Sequence, residues 1–317
     1  MLTNWCNYKC PYCFGMDQMA PKNKAQAMSD ETFLGILGWL DKTHYRNPIH
    51  LMGGEPTLHP KFEWIVDTLL ERDFPITVFS NMASDKMPVY AEKLAMLPIF
   101  WIANINYSSE SLTEEQRERI EGVLHTLGKN VSLNINIMPE VDDEDWPVEL
   151  TVKHNLARSI KVGFALPTYT QVNRSLEGDE YRVVAEKTVR LAQKAEKYGI
   201  KLEYECGIPT CAFTPLQLGT LWKCGSMLQS SCCSRMDVTP DGRLIYCLPM
   251  STVASRPYTD FETYDEAKNW FETQFAPYRR LGRTFRCATC TLMDAAHCNG
   301  GCLAKNLIGV QNIKIEK

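Results

Sequence analysis

Three cysteines stand close together near the start of the chain: Cys6, Cys10 and Cys13, in the run Trp5-Cys6-Asn7-Tyr8-Lys9-Cys10-Pro11-Tyr12-Cys13-Phe14. Cysteine sulfur is the preferred protein ligand of iron-sulfur clusters, and a Cys-x3-Cys-x2-Cys loop is long enough to wrap one corner of a 4Fe-4S cube and hold three irons. The fourth iron is then left without a protein ligand. An open coordination position separates a reactive metal centre from a structural one, by the logic that separates catalytic from structural zinc. The spacing therefore points to chemistry at that iron. Three close cysteines can also begin a zinc site, so a second motif is needed to decide.

Gly53-Gly54-Glu55-Pro56 supplies it, following the apolar run Ile49-His50-Leu51-Met52 and preceding Thr57-Leu58-His59-Pro60 and an amphipathic helix pattern. Two glycines at a strand end let backbone approach a ligand that a side chain would exclude, and the Glu55 carboxylate can meet a cationic group. Alone, the tetrapeptide reads as a turn. About forty residues after the cysteine loop it has a different weight. Together the two motifs resemble the radical S-adenosylmethionine (SAM) superfamily, whose signature is this cysteine spacing with an aromatic residue, here Tyr12, before the last cysteine.

The resemblance implies that Cys6, Cys10 and Cys13 hold a 4Fe-4S cluster and that its open iron chelates the amino and carboxylate groups of SAM. Reductive cleavage then yields a 5'-deoxyadenosyl radical that abstracts hydrogen from an unactivated C-H bond. It also implies that Gly53, Gly54, Glu55 and Pro56 form the motif that contacts the methionyl amino group, that Ser80 and Asn81 bond the ribose, and that the segment around Val162 packs on adenine. Asn134 and Asn136 alternate on one predicted strand and so share a face. If that face is the inner one of a barrel, both are candidate cofactor ligands; a turn or core amide is the other reading of Asn136.

The elements that must position these residues follow from periodicity. Up to about residue 205, short apolar runs alternate with helical patterns, as in repeated beta-alpha units around a parallel sheet. Strands are expected near Met1 to Asn4, Ile49 to Met52, Ile76 to Ser80, Phe100 to Ile105, Val131 to Met138 and Ile160 to Leu166, with a final one over Ile200 to Glu205. Helices should start near Ser29, Pro60, Pro88, Thr113, Asp145 and Asp179; Thr113 with Gln116 three residues later is a capping-box pattern. The fold class is α/β, and the resemblance implies a partial (β/α)6 TIM-like barrel with its active site at the carboxyl ends of the strands. Residues 1–205 form this barrel, and residues 206–317 a small cysteine-rich domain.

Ten of the thirteen cysteines lie beyond residue 205. Cys232 and Cys247 flank Thr239-Pro240-Asp241-Gly242-Arg243, which reads as a hairpin turning at Asp241-Gly242. Cys287, Cys290, Cys298 and Cys302 follow as Cys-x2-Cys-x7-Cys-x3-Cys. This half resembles the SPASM domain, which binds auxiliary 4Fe-4S clusters. It departs from that pattern in a longer middle gap and in having no cysteine after Cys302. Carried over by position, Cys224, Cys232, Cys247 and Cys302 hold one auxiliary cluster, and Cys287, Cys290 and Cys298 three corners of a second. Its fourth ligand is Cys206, Cys211, Cys233 or His297, or the position stays open. Structural zinc is the competing reading. Ten cysteines exceed the eight that two clusters use, so Cys206, Cys211 and Cys233 are also candidate hydrogen-atom donors to a substrate radical, or simply small buried residues.

Composition bounds the rest. A chain of 317 residues with 44% hydrophobic content can bury a full core, and its net charge of -4 with no long basic run makes nucleic acid a poor substrate candidate. No run approaches the roughly 20 apolar residues of a membrane span, and no signal peptide precedes the cysteine loop, so a cytoplasmic location is expected. Thiols stay reduced there, which points the cysteines to metal rather than to disulfides. With five residues ahead of the loop, no peptide-recognition domain is expected there, and a leader peptide would then need another part of the chain or a separate protein. The expected activity is that of a radical SAM enzyme on a ribosomally made peptide, giving a crosslink, epimerisation or oxidation, with an external electron donor such as flavodoxin or ferredoxin. The alternatives are a small metabolite as substrate, or a non-catalytic cysteine-rich metal protein.

Overall fold

The structure is a computed structural model, which describes residues 1–19, 26–105, 112–141, 145–205, 207–226, 228, 232, 235–279, 281–282, 285–310 and 313–315. Six of the apolar runs become neighbouring strands of one parallel sheet: β1 (Ile49–Leu51), β2 (Ile76–Ser80), β3 (Ile99–Asn104), β4 (Val131–Ile137), β5 (Ser159–Phe164) and β6 (Lys201–Tyr204), in that order. β1 and β6 are its edges, so the barrel is open. Helices α1 (Asp30–Asp41), α2 (Phe62–Glu71), α3 (Met87–Leu94), α4 (Glu114–Leu127), α5 (Trp146–Lys153) and α6 (Glu180–Lys197) alternate with the strands. Parallel neighbours need such crossovers, because no tight turn can reverse the chain twice.

Local chemistry sets the helix starts. Ser29 caps α1 through its side chain, Pro88 lies in the first turn of α3, and Thr113 and Gln116 form the expected reciprocal capping box of α4. A cap of this kind is worth about 1 kcal/mol, so packing supplies most of the rest. On α2, Phe62, Ile65, Val66 and Leu69 have no solvent exposure, the i, i+3, i+4, i+7 stripe of a helix lying on a sheet.

Strand alternation then divides the side chains between two faces. Leu133, Ile135, Ile160, Val162, Leu202 and Tyr204 are buried on the helix side. Asn134 pairs in register with Asn104 and Lys161, Asn136 with Gly163, and Lys161 with Glu203, all on the opposite, inner face. Val162 is therefore a core residue of the helix layer, and the expectation that it packs on a ligand inside the barrel is corrected: a period of two places Lys161 and Gly163 inside instead. The expected first strand, Met1 to Asn4, is not a sheet strand either. It runs beside the end of β1 through Leu2 N–H to Met52 O (2.6 Å) and Gly54 N–H to Thr3 O (2.8 Å), with a single bridge between Thr3 and Ala27.

The carboxyl-terminal part adds α7 (Pro215–Lys223), a small antiparallel sheet of β7 (Asp237–Val238), β8 (Arg243–Ile245) and β9 (Ser255–Pro257), then α8 (Tyr264–Phe275), α9 (Thr291–Asp294) and α10 (Leu303–Leu307). The hairpin turns where the sequence places it, with Gly242 at φ +77°, a conformation that favours glycine. The third strand, β9, has no signal in the sequence. This part packs intimately on the barrel: the Met1 ammonium donates to Val238 O (2.5 Å), the Trp39 indole N–H donates to Phe261 O (2.9 Å), and one buried apolar cluster runs from Leu2 to Leu307. No helix among the described residues is long and apolar enough to cross a membrane.

Candidate active site

The cysteine loop lies across the carboxyl ends of the strands, held from three sides. Gly53 and Gly54 support it from β1: a Cβ on Gly53 would stand 2.4 Å from Thr3 O, and one on Gly54 2.2 Å from Trp5 O and 2.8 Å from Cys6 N. No side chain fits there, so the glycines serve the approach of one backbone to another. From β2, Asn81 donates through Nδ2 to Asn7 Oδ1 (2.8 Å), with Cys6 Sγ 3.9 Å away. From the segment after β5, Arg174 N–H donates to Pro11 O (2.8 Å) and Asn173 Nδ2 to Tyr12 O (3.4 Å).

The loop's own chemistry fits a thiolate-bound cluster. Burial pushes the Cys6 thiol up to about 12; the Tyr8 N–H, 3.4 Å from its sulfur, opposes this, while Glu55, Cys10 and Cys13 add to it. Burial likewise raises Cys10 and Cys13. Three half-buried sulfurs that disfavour one another's charge are the situation that cationic irons relieve. Among the described residues no three His, Cys, Asp or Glu side chains close around a single-ion position; a cube takes its thiolates at separate corners. Burial raises the Tyr12 pKa, and Cys10 beside it adds to the rise.

Glu55 departs from expectation. It is 1% exposed. Its Oε1 accepts from Thr57 N–H (3.1 Å), Thr57 Oγ1 (2.7 Å) and Ser80 Oγ (3.0 Å), and its Oε2 from Asn81 N–H (2.8 Å). Burial raises its pKa while these bonds oppose the rise. Three of the chain's donors converge on Oε1 and one meets Oε2, so the side chain braces the β1 turn against the β2 end. The same bonds tie Ser80 and Asn81 to Glu55. Ser80 Oγ donates to Glu55 and accepts from Met82 N–H (3.0 Å), and Asn81 holds the cysteine loop and accepts from Ala83 N–H (2.9 Å). Pro56 starts the short 3-10 turn that follows and is buried.

Across the barrel mouth, Asn134 Nδ2 donates to Asn104 Oδ1 (2.7 Å) and to Glu205 Oε1 (3.1 Å). Asn136 lies next to Gly163, whose absent Cβ would meet Asn136 Oδ1 at 2.7 Å. Glu205 went unnoticed in the sequence, although Lys201, Glu203 and Glu205 alternating with Leu202 and Tyr204 carry the signal of an inward polar face. Asn173 and Arg174 carry none, since their partners are about 160 residues away.

In the carboxyl-terminal part, Cys232 and Cys302 are buried neighbours: burial pushes Cys302 up to about 11, with Cys232 adding to it. Cys224 ends α7, where burial and then Glu196 raise its pKa. Cys247 precedes the 3-10 turn Leu248–Met250. Burial first, and then the nearby Cys298 and Cys287 thiols, raise the pKa of Cys211. Its loop packs on theirs, where a Cβ on Gly301 would meet Gly207 O at 2.9 Å. Cys206 and Cys233 lie outside the described residues.

Residues 1–148, which carry the cysteine loop, the Gly53–Pro56 turn, Ser80, Asn81 and β1 to β4, match the Radical SAM superfamily. That stretch, just under half of the chain, is similar to the superfamily. That family implies a 4Fe-4S cluster and SAM as cofactors. Among solved structures, Streptococcus suis SuiB bound to SAM is similar over 98% of this chain and 73% of its own, with a TM-score of 0.70 and 14% identity. Native anSMEcpe with bound AdoMet is similar over 95% of this chain and 87% of its own, with a TM-score of 0.63 and 16% identity. A GTP 3',8-cyclase of Paenarthrobacter nicotinovorans is 24% identical over 277 residues, covering 78% of this chain and 76% of that protein.

Proposed function

We propose that this radical SAM enzyme modifies a ribosomally made peptide, with Cys6, Cys10 and Cys13 holding the SAM-binding cluster and residues 206–317 holding auxiliary clusters. The observation that carries the peptide reading is similarity along almost the whole chain to two proteins solved with peptides: SuiB with precursor peptide SuiA, and anSMEcpe with Cp18Cys peptide. When bound, the cluster and SAM supply the radical chemistry. The chain supplies position: Gly53 and Gly54 admit the loop, Asn81 and Asn173 fix its two flanks, and Glu55 ties the β1 and β2 ends together. A mouth braced in this way would place one C-H bond near the reacting carbon and exclude solvent that would quench a radical.

Cys232 and Cys302, with Cys224 and Cys247, make the first auxiliary set. Cys287, Cys290 and Cys298 make the second, and its fourth ligand is Cys211, a candidate among the described residues that lies near those three thiols. This favours a ligand role for Cys211 over hydrogen donation. A flavodoxin or ferredoxin would deliver the electron.

The identity with a GTP cyclase favours a second reading, a small-molecule substrate. Anaerobic reduction with SAM should yield 5'-deoxyadenosine and methionine, and replacing Cys6, Cys10 and Cys13 together by alanine should abolish this. Undiminished cleavage in that variant refutes the assignment. Mass change in a co-expressed precursor peptide supports peptide modification; turnover of nucleotides alone transfers the function to the second reading.

A further inference from the structure

The first auxiliary set of thiols has a polar neighbour that the scheme above does not use. Tyr246 follows β8 and directly precedes Cys247, and its backbone oxygen accepts from Met236 N–H (3.1 Å). Its side chain is wholly buried, with the ring packed on Phe275 at the end of α8, centroids 4.6 Å apart. Phenylalanine would serve that packing equally well, so the hydroxyl needs its own account. It meets two groups from distant parts of the chain: Arg279, just beyond α8, donates to it through Nη2 (2.7 Å), and Cys232 Sγ stands 4.0 Å away, the outer limit of a bond to sulfur. Arg279 donates to Glu272 as well, which fixes the guanidinium from α8. The direction of these bonds follows from what each group can do. A guanidinium only donates, so the Tyr246 oxygen accepts there and its own proton is left for another partner. A free thiol can donate or accept, but a metal-bound thiolate has only lone pairs to offer, so toward a liganded Cys232 the phenol must donate.

We propose that Arg279 and Tyr246 form a relay that aims the phenol proton at Cys232 Sγ and raises the reduction potential of the auxiliary cluster which that thiolate holds. Reduction adds negative charge to a cluster, and hydrogen bonds to its sulfurs are among the features that set its potential. A donor polarised by a cation stabilises the more negative, reduced form more than the oxidised one. Tyr246 is the donor, and Arg279 is a positioning residue that acts through it. The assignment rests on reading Cys224, Cys232, Cys247 and Cys302 as ligands of one cluster.

The test is an anaerobic redox titration of the reconstituted full chain, with Cys6, Cys10 and Cys13 replaced by alanine so that electron paramagnetic resonance reads only the carboxyl-terminal iron. Tyr246→Phe keeps the ring and removes the proton. At a fixed potential it should lower the ratio of reduced to oxidised cluster in one titration step at least about tenfold, about 59 mV for one electron, with iron content unchanged. Arg279→Gln should move the same step in the same direction, and by less when Tyr246 is already phenylalanine, because the relay is then cut. After reconstitution in deuterated water, electron nuclear double resonance should show a deuteron coupling to the reduced cluster that Tyr246→Phe removes. An unmoved midpoint in Tyr246→Phe with iron retained overturns the proposal, as do identical deuteron couplings with and without the hydroxyl. If Tyr246→Phe fails to hold iron, Arg279→Gln carries the comparison, and an unmoved midpoint there overturns the proposal. A triple-alanine chain without iron, or with zinc in its place, refutes the auxiliary-cluster reading and the proposal with it, a result distinct from an unmoved midpoint.

Discussion

Replacing Glu55 tests whether its carboxylate braces the site or touches the cofactor. Glu55→Ala strips an acceptor from four donors. Two are hydroxyls that can turn: Thr57 Oγ1 is already 2.8 Å from Ser84 Oγ, and Ser80 Oγ keeps its bond from Met82 N–H. The other two are the backbone N–H groups of Thr57 and Asn81, fixed by the turn and the strand end. Each, left buried and unpaired, costs about 1–3 kcal/mol, so Glu55→Ala should lose about 2–6 kcal/mol before any cavity is counted. Glu55→Gln keeps one oxygen for Thr57 and Ser80 but sets its amide N–H groups against the Asn81 N–H, at about 1–3 kcal/mol. Urea unfolding of anaerobic protein, followed by circular dichroism, should rank wild type above Glu55→Gln above Glu55→Ala. Iron content and SAM affinity should fall in the same order, because Asn81 holds the cysteine loop. A Glu55→Gln protein with wild-type midpoint and iron but weakened SAM binding would refute the bracing role and restore direct contact with the cofactor's ammonium group.

Gly54→Ala would place a Cβ 2.2 Å from Trp5 O and 2.8 Å from Cys6 N; the loop must move, and iron analysis should show less cluster at residues 6–13 with the carboxyl-terminal iron retained. Cys211→Ala should change the auxiliary iron signal by Mössbauer or electron paramagnetic resonance spectroscopy while SAM cleavage persists; unchanged spectra would remove Cys211 from the ligand set. His59 gives a pH dependence: its Nδ1 accepts from Lys61 N–H (3.1 Å), which leaves Nε2–H to donate to Met28 O (3.0 Å), and burial lowers its pKa below the ordinary 6.5. With the folded pKa depressed, the unfolded state binds more protons, so this contribution is present at neutral pH and is lost as pH falls through 6.5 toward the folded value. Thermal midpoints should decline over that window, and His59→Gln should flatten the decline.

Spacing alone was enough to place the cysteine loop, the glycine turn, most helix starts and the hairpin at Gly242, because each depends on neighbours a few residues apart. Thr113 caps with Gln116, and Ser29 with the first turn of its own helix. Strand alternation likewise made Asn134 and Asn136 a pair on one face. Which face is inner, and what the motif side chains do, depends on partners far along the chain. Glu55 meets Ser80 and Asn81 from the next strand, Asn173 reaches Tyr12, and Cys211 joins thiols about 80 residues later. Glu55 at a strand end thus reads in sequence as a ligand for a cation. Only the packing of β1 against β2 shows four internal donors closing around it.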